Sequence, residues 1–234
     1  KNNSIVGVET DKGKIDCEYV VLATGMWSRQ IGEKMNVSIP LYPNEHFYVI
    51  TEPMKDLPKN LPVLRDYNNC LYLKEDAGKM LVGIFEPNAK PAFKNTGVVP
   101  DDFSFGELPD DFDHFEPYLQ KSFHRLPMLE NAGIRKFFSG PESFTPDTQY
   151  LLGETPEIKK LFTCCGFNSI GNASSGGAGR VTAEWMINGH INEYLFSLDI
   201  KRFQKFHSSK KFIMERVTET LGDLYGMHWP FKQH

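Results

Sequence analysis

The sequence predicts a mixed fold, with α/β segments towards its two flanks and a mostly antiparallel α+β block between them. Two short apolar runs ending in small residues, "YVVLATG" and "LFTCCG", lie far apart in the chain and read as buried strands. Between them, "HFYVITEP", "CLYLKED" and "KMLVGIFE" alternate in polarity and are separated by Pro, Asn and Gly, the pattern of an antiparallel sheet. The second apolar run leads into "CGFNSIGNASSGGAGRVTAEW", a glycine-dense stretch that becomes a helical pattern.

Taken in order, Ser4–Val8 and Ile15–Ala23 are expected to be two strands turning at Asp11–Gly13, the second buried on both faces with its end close to a ligand. Trp27 and "SRQIGEKM" suggest a loop and a short helix. The sheet pattern runs from Pro43 to Phe85. In "FDHFEPYLQKSFHRLP", Phe112, Phe115, Leu119, Phe123 and Leu126 fall at helical spacing, predicting a helix over one sheet face with Pro117 tolerable only in its first turn. "IRKFFSG" reads as a returning strand and "PESFTPDTQYLLGETPEIKK" as turns and a short hairpin, with Asp147 in an Asx turn. Cys164 and Cys165 would point to opposite faces of the next strand. Ala178, Val181 and Trp185 share a helix face and Gly189 is a good stop, giving strand, glycine loop, helix.

With 234 residues, 40% hydrophobic and 24% charged, the chain can bury a sizeable core. Its formal charge of -4 argues against a dominant nucleic-acid surface and favours small or neutral partners. No run approaches the roughly 20 apolar residues of a membrane span, and the start lacks a signal-peptide core, so a soluble chain is expected. Cys17, Cys70, Cys164 and Cys165 have neither disulfide-framework nor zinc spacing, which points to a reducing compartment. His114, His124, His190, His207, His228 and His234 show no metal spacing and are expected at the surface; no metal site is predicted. The chain opens without methionine inside a strand-like run and closes on "MHWPFKQH" without a cap, so it is expected to be part of something longer.

A strand passing through glycines into a helix offers free N–H groups and the positive end of the helix dipole to an anion or polar ring. The competing explanation is a tight turn for close helix packing, and the stretch does not have G-x-G-x-x-G spacing.

"YVVLATGMWS", "EHFYVITEP", "GPESFTPDTQYLLGE" and the glycine stretch, in that order, resemble the flavin-dependent dimethylglycine and sarcosine dehydrogenase group of the D-amino-acid-oxidase-like superfamily, over essentially the whole chain. The resemblance implies a discontinuous, Rossmann-like FAD-binding domain, present here in part at 1–43 and 140–204, with an antiparallel substrate domain at 44–139 and a helical tail or linker at 205–234. It implies FAD as cofactor and oxidation of the C–N bond of an N-methylated glycine. Ala23, Thr24, Gly25 and Trp27, together with Gly166, Phe167, Asn168, Ser169, Ile170 and Gly171, would lie along the cofactor, glycines making room and Asn168 and Ser169 offering hydrogen bonds. Trp27 has an equally good reading as a core or domain-interface aromatic.

By the same resemblance His46 and Tyr72 line the reaction pocket, His46 sharing a face with Tyr48 and Ile50 and Tyr72 facing away from Leu71 and Leu73. Amine oxidation needs a neutral nitrogen, and a histidine oriented by a tyrosine hydroxyl can take the ammonium proton. The plainer alternative is a strand-end histidine and a packing tyrosine. Glycine-oxidase-like relatives place a carboxylate-binding arginine in the segment matching "GPESFTPD"; Glu142 stands there, leaving Arg65 and Lys74 as alternatives. The pyrophosphate loop and the histidine that often carries FAD are missing, so an upstream segment is expected, as is a downstream folate-binding domain with tetrahydrofolate as a further cofactor. The partner expected is a small-molecule amine, with the electron acceptor left open, in a bacterial cytoplasm or a mitochondrial matrix. A second class is a non-enzymatic relative resembling a pyruvate dehydrogenase phosphatase regulatory subunit.

Overall fold

The computed structural model describes residues 3–226, so His228 and His234 lie outside the described residues. The first hairpin joins β1 (Gly7–Thr10) to β2 (Gly13–Asp16), with Thr10 Oγ1 donating to the Gly13 carbonyl at 2.9 Å. The strand expected over Ile15–Ala23 is therefore two strands. Every residue of β2 is exposed, so nothing draws it into a buried sheet; β3 (Val20–Leu22) resumes in another sheet, where Val20 N–H donates to the Lys160 carbonyl at 3.0 Å. A 3-10 turn at Gly25–Trp27 leads into α1 (Ser28–Lys34). Then come β4 (Tyr42–Thr51), β5 (Leu64–Asp66), β6 (Leu71–Asp76), β7 (Lys79–Ile84), α2 (Phe112–Arg125), β8 (Ile134–Phe144), β9 (Leu151–Glu154), β10 (Leu161–Cys165), α3 (Gly171–Asn188) and α4 (Lys210–Asp223).

The chain divides into two compact units. The first takes in the described residues up to Pro43, Phe93–Asp101 and Ser143–Val217. Its sheet has the order β3-β10-β9, with β3 and β10 parallel and β10 and β9 antiparallel. One face buries Leu22, Ile39, Leu41, Leu151, Leu161 and Cys165. The other buries Leu152 and Phe162 under Ala178 and Trp185 of α3, with Cys164 beside them, so the two cysteines do point to opposite faces. The Trp185 indole reaches β9 at Gly153, where an added methyl would sit 2.1 Å from the ring. Because β3 is an edge strand among the described residues, Val21 is 39% exposed rather than buried on both faces. The 93–101 segment is held by Arg29, donating to the Gly97 carbonyl at 2.6 Å, and by Gln30, donating to that of Val99 at 2.9 Å. Asp147 accepts from Gln149 N–H at 3.1 Å in an Asx turn and also takes a two-pronged ion pair from Arg202.

The second unit takes in Asn44–Ala92, Asp102–Glu142 and the described residues from Thr218 onwards. Its sheet has the order β5-β6-β7-β4-β8. One face carries Phe47, Val49, Leu71, Leu73, Val82 and Ile84 into a core closed by α2 through Phe115, Leu119 and Phe123. Asp111 caps α2, accepting from His114 N–H at 3.1 Å. Pro117 is not in the first turn but further along the helix. The hydrogen bond it removes would have ended on the carbonyl of exposed Asp113, where solvent can supply a replacement, and this is why the position tolerates it. The residues of α4 are divided between the two units; Ile213 and Val217 of the first and Leu221 of the second recur every four residues and are fully buried.

Candidate active site

In the first unit, β3 and β10 are parallel neighbours, so the segments after both emerge at one edge of the sheet. This brings Ala23, Thr24, Gly25 and Trp27 to the same end as Gly166, Phe167, Asn168, Ser169, Ile170 and Gly171, the carboxyl end of the strands where open α/β sheets take ligands. Ala23 and Gly25 are exposed, while Thr24 Oγ1 is spent on Ser28 Oγ at 2.8 Å. Trp27 is half-buried, its indole N–H donating to the Pro100 carbonyl at 3.0 Å.

The loop after β10 is locked from within. Asn168 is buried; its Oδ1 accepts from Thr145 N–H at 2.9 Å and its Nδ2 donates to the Gly166 carbonyl at 2.6 Å. Its amide is thus committed to the loop itself, and Phe167 is steadied by the Tyr150 ring, 4.8 Å between centroids. Asn168 and Ser169 are both left-handed, with φ of 48° and 70°. Two such non-glycine residues in succession mark backbone held in a costly shape. The helix begins at Gly171, so the loop is only Gly166–Ile170 and Gly176, Gly177 and Gly179 lie within α3, on an exposed side where an added methyl would meet nothing within 4 Å. No side chain caps the N-terminus of α3 and no acid lies in its first turn. Its first N–H groups and positive dipole end are therefore open to an anion or polar ring edge.

In the second unit the predicted pair meets. His46 Nε2 and Tyr72 Oη are 3.0 Å apart, on the sheet face away from α2. Tyr72 stands on β6 and His46 on β4, with β7 between them. The pairing register aligns Tyr48, Gly83, Tyr72 and Arg65 in one row across the strands. Gly83 is what lets the tyrosine cross: an added methyl there would sit 2.1 Å from Tyr72 Cζ and 2.2 Å from its Oη. Phe85 packs beside both rings, 4.8 Å from His46 and 5.4 Å from Tyr72. Burial, and after it the Glu142 charge, pushes the Tyr72 pKa far above the usual tyrosine range. Tyr72 therefore stays a phenol, and its O–H can donate to Nε2 in the tautomer that carries the His46 ring proton on Nδ1. Glu142 Oε2 lies 3.3 Å from that Nδ1. Of the other cations on this face, Arg65 lies over the Tyr225 ring at 5.9 Å and Lys74 is exposed.

His114 is not a surface residue. Its side chain is 10% exposed and its Nε2 lies 3.1 Å from Oε1 of Glu86, which is fully buried. Phe85 and Glu86 are neighbours in sequence, so the chain after β7 serves His46 with one residue and His114 with the next. His124 and His190 are exposed, and His207 is half-buried among Phe203, Phe206 and Phe212. Among the described residues no His, Cys, Asp and Glu cluster could hold a metal ion, and no helix is long and apolar enough to cross a membrane.

A family model described as FAD dependent oxidoreductase matches residues 1–185, and one described as FAD dependent oxidoreductase central domain matches residues 188–234. The chain belongs to the FAD-dependent oxidoreductase family. It is 38% identical over 226 residues to a 4-methylaminobutanoate oxidase (formaldehyde-forming) from Paenarthrobacter nicotinovorans, covering 97% of this chain and 27% of that protein. It is 38% identical over 233 residues to the mitochondrial pyruvate dehydrogenase phosphatase regulatory subunit of Mus musculus, covering 98% and 26%. It is 36% identical over 227 residues to the mitochondrial sarcosine dehydrogenase of Homo sapiens, covering 97% and 24%. The chain thus spans about a quarter of the length of the curated relatives it matches. Among solved structures, an L-proline dehydrogenase from P. horikoshii superposes with a TM-score of 0.69 at 26% identity, covering 87% of this chain and 51% of that one. The mixed α/β and antiparallel fold is that of the family, and FAD is the family's cofactor. The uncapped start of α3, the exposed backbone at Ala23 and Gly25 and the open glycine side of α3 are features that fit such a cofactor.

Proposed function

We propose that this chain forms part of the catalytic core of an FAD-dependent oxidoreductase that oxidises the C–N bond of an N-methylated amino acid such as sarcosine or dimethylglycine. The observation that carries this reading is the 3.0 Å contact between His46 Nε2 and Tyr72 Oη on a sheet face lined with aromatic rings. Such a substrate arrives as an ammonium and must lose a proton before its C–H bond can be oxidised. Tyr72 accepts that proton on its oxygen as its own O–H proton passes to His46 Nε2, leaving the phenol neutral and the positive charge on the imidazole. Tyr72, Phe85 and Tyr48 give the methylated nitrogen aromatic surface, which favours cations.

FAD, when bound, supplies the two-electron acceptor for the C–H bond next to nitrogen. The backbone N–H groups that open α3 would hold a polar edge of that cofactor, with Ala23–Gly25 giving close backbone approach; Asn168 contributes by fixing the loop. Relatives named as mitochondrial and one from a bacterium make the mitochondrial matrix and the bacterial cytoplasm the proposed locations.

One observation favours a second reading, a regulatory protein without catalysis: the phosphatase regulatory subunit is as similar to this chain as the methylaminobutanoate oxidase is. Anaerobic mixing of the complete FAD-loaded protein with sarcosine, dimethylglycine or 4-methylaminobutanoate separates the two. Bleaching of the flavin band by one of these amines is expected, and a flavin that none of them reduces supports the regulatory reading.

A further inference from the structure

His46 Nδ1 is buried and makes no hydrogen bond among the described residues, yet Glu142 Oε2 stands 3.3 Å away, near enough for an ion pair but off the line of the ring N–H. A buried ring nitrogen carrying a proton needs an acceptor. The alternation of β8 puts Phe138, Gly140 and Glu142 on one side, and Phe138 stacks on Tyr48 at 4.5 Å, so this is the face that holds His46 and Tyr72. The Glu142 side chain is 34% exposed, which leaves it free to swing into line as charge develops on the imidazole.

We propose that Glu142 is a positioning residue for His46: its carboxylate holds the ring in the tautomer whose Nε2 accepts from Tyr72, and balances the imidazolium formed when the substrate proton arrives. The proposal rests on the function argued above. The proton balance is complete within the chain: one proton leaves the substrate ammonium for Tyr72 Oη, one leaves Tyr72 for His46 Nε2, the Nδ1 proton stays in place facing Glu142, and no bond to carbon changes. Tyr48, Tyr225 and Glu86 are the other titratable groups whose charges bear on Tyr72, whereas Glu142 is the acid beside Nδ1. The acid at this position thus serves the histidine rather than a substrate carboxylate.

The test uses the complete FAD-loaded protein and two substitutions. Glu142→Gln keeps an acceptor for Nδ1–H but removes the charge, whereas Glu142→Ala removes both. Nitrogen-15 NMR with labelled histidine, His46 assigned by its loss in His46→Asn, reports which ring nitrogen carries the proton. Wild type and Glu142→Gln are expected to hold it on Nδ1, and Glu142→Ala to show a mixture. Stopped-flow flavin reduction by sarcosine should slow about 10- to 100-fold in both, part of the full effect of removing a proton acceptor. A His46 that keeps its Nδ1 proton in Glu142→Ala, or a wild-type reduction rate in both variants, overturns the proposal. If sarcosine and the other N-methyl amines fail to reduce the wild-type flavin, the function reading fails instead, and the NMR comparison still decides whether Glu142 positions His46.

Discussion

Gly83→Ala tests whether the sheet was shaped around the His46–Tyr72 contact. The added methyl would lie 2.1 Å from Tyr72 Cζ, 2.2 Å from Oη and 2.3 Å from Cε1, all well inside van der Waals contact. The obstructing atoms are the rigid end of a half-buried ring packed against Phe85, so the ring has to leave its seat. Overpacking of this kind costs about 1–3 kcal/mol, and the broken tyrosine–histidine hydrogen bond roughly another 1 kcal/mol. Thermal unfolding of the complete protein should fall by several degrees. Flavin reduction should slow by about 10²-fold or more, since Tyr72 no longer hands its proton to His46.

The clash predicts non-additivity. On a Tyr72→Ala background the methyl enters space that the ring has vacated, so Gly83→Ala should cost under about 1 kcal/mol there, and the two substitutions should couple by more than about 1 kcal/mol. Equal costs on both backgrounds, or a single Gly83→Ala variant reducing flavin at the wild-type rate, would refute the reasoning.

Asn168→Ala removes the clasp on the loop after β10 and should cost about 2–4 kcal/mol by leaving Thr145 N–H and the Gly166 carbonyl unmatched; weaker FAD binding by titration calorimetry should accompany it. His114→Ala strips the partner from fully buried Glu86 and should destabilise by about 3 kcal/mol in urea unfolding, where a loss under 1 kcal/mol would place His114 back among the solvated histidines. Gly177→Ala should stabilise the isolated 234-residue chain by roughly 0.5–1 kcal/mol in thermal unfolding, since nothing stands within 4 Å of the new methyl.

The alternation in "HFYVITEP" and "CLYLKED" set His46 with Tyr48 and Ile50, and Tyr72 opposite Leu71 and Leu73, each within its own strand, because period-two patterning fixes sidedness along a strand before any pairing is known; only the family resemblance put the two residues in one pocket. It could not show that they touch, since that depends on which strand lies between them and on the absence of a side chain at Gly83. Glu142 and His46 are likewise joined only by the neighbouring of β4 and β8, a long-range event with no local signature. The break between β2 and β3 was hidden because Ile15, Cys17 and Tyr19 alternate with Asp16 and Glu18 straight into the apolar Val20–Leu22, while exposure of β2 is a tertiary outcome. The glycines of α3 looked like a loop because glycine disfavours helices, yet Ala178 and Trp185 anchor the segment on the sheet strongly enough to override that preference. His114 was misplaced because the helix face it shares with Phe115 and Tyr118 is judged by polarity, and only the fold brings Glu86 beneath it.

The most direct test of the central claim, that His46 and Tyr72 move the substrate proton, is stopped-flow reduction of the complete FAD-loaded protein by sarcosine or dimethylglycine across a pH series, with His46→Asn and Tyr72→Phe beside wild type. Both variants should bind FAD with an unchanged spectrum and be slower by about 10²- to 10⁴-fold, or roughly 3–5 kcal/mol of barrier. The deficit should be greatest at low pH, where the amine is an ammonium, and should shrink as rising pH supplies neutral amine unaided. Wild-type rates at every pH in both variants would contradict the account and return the pair to a strand-end histidine and a packing tyrosine.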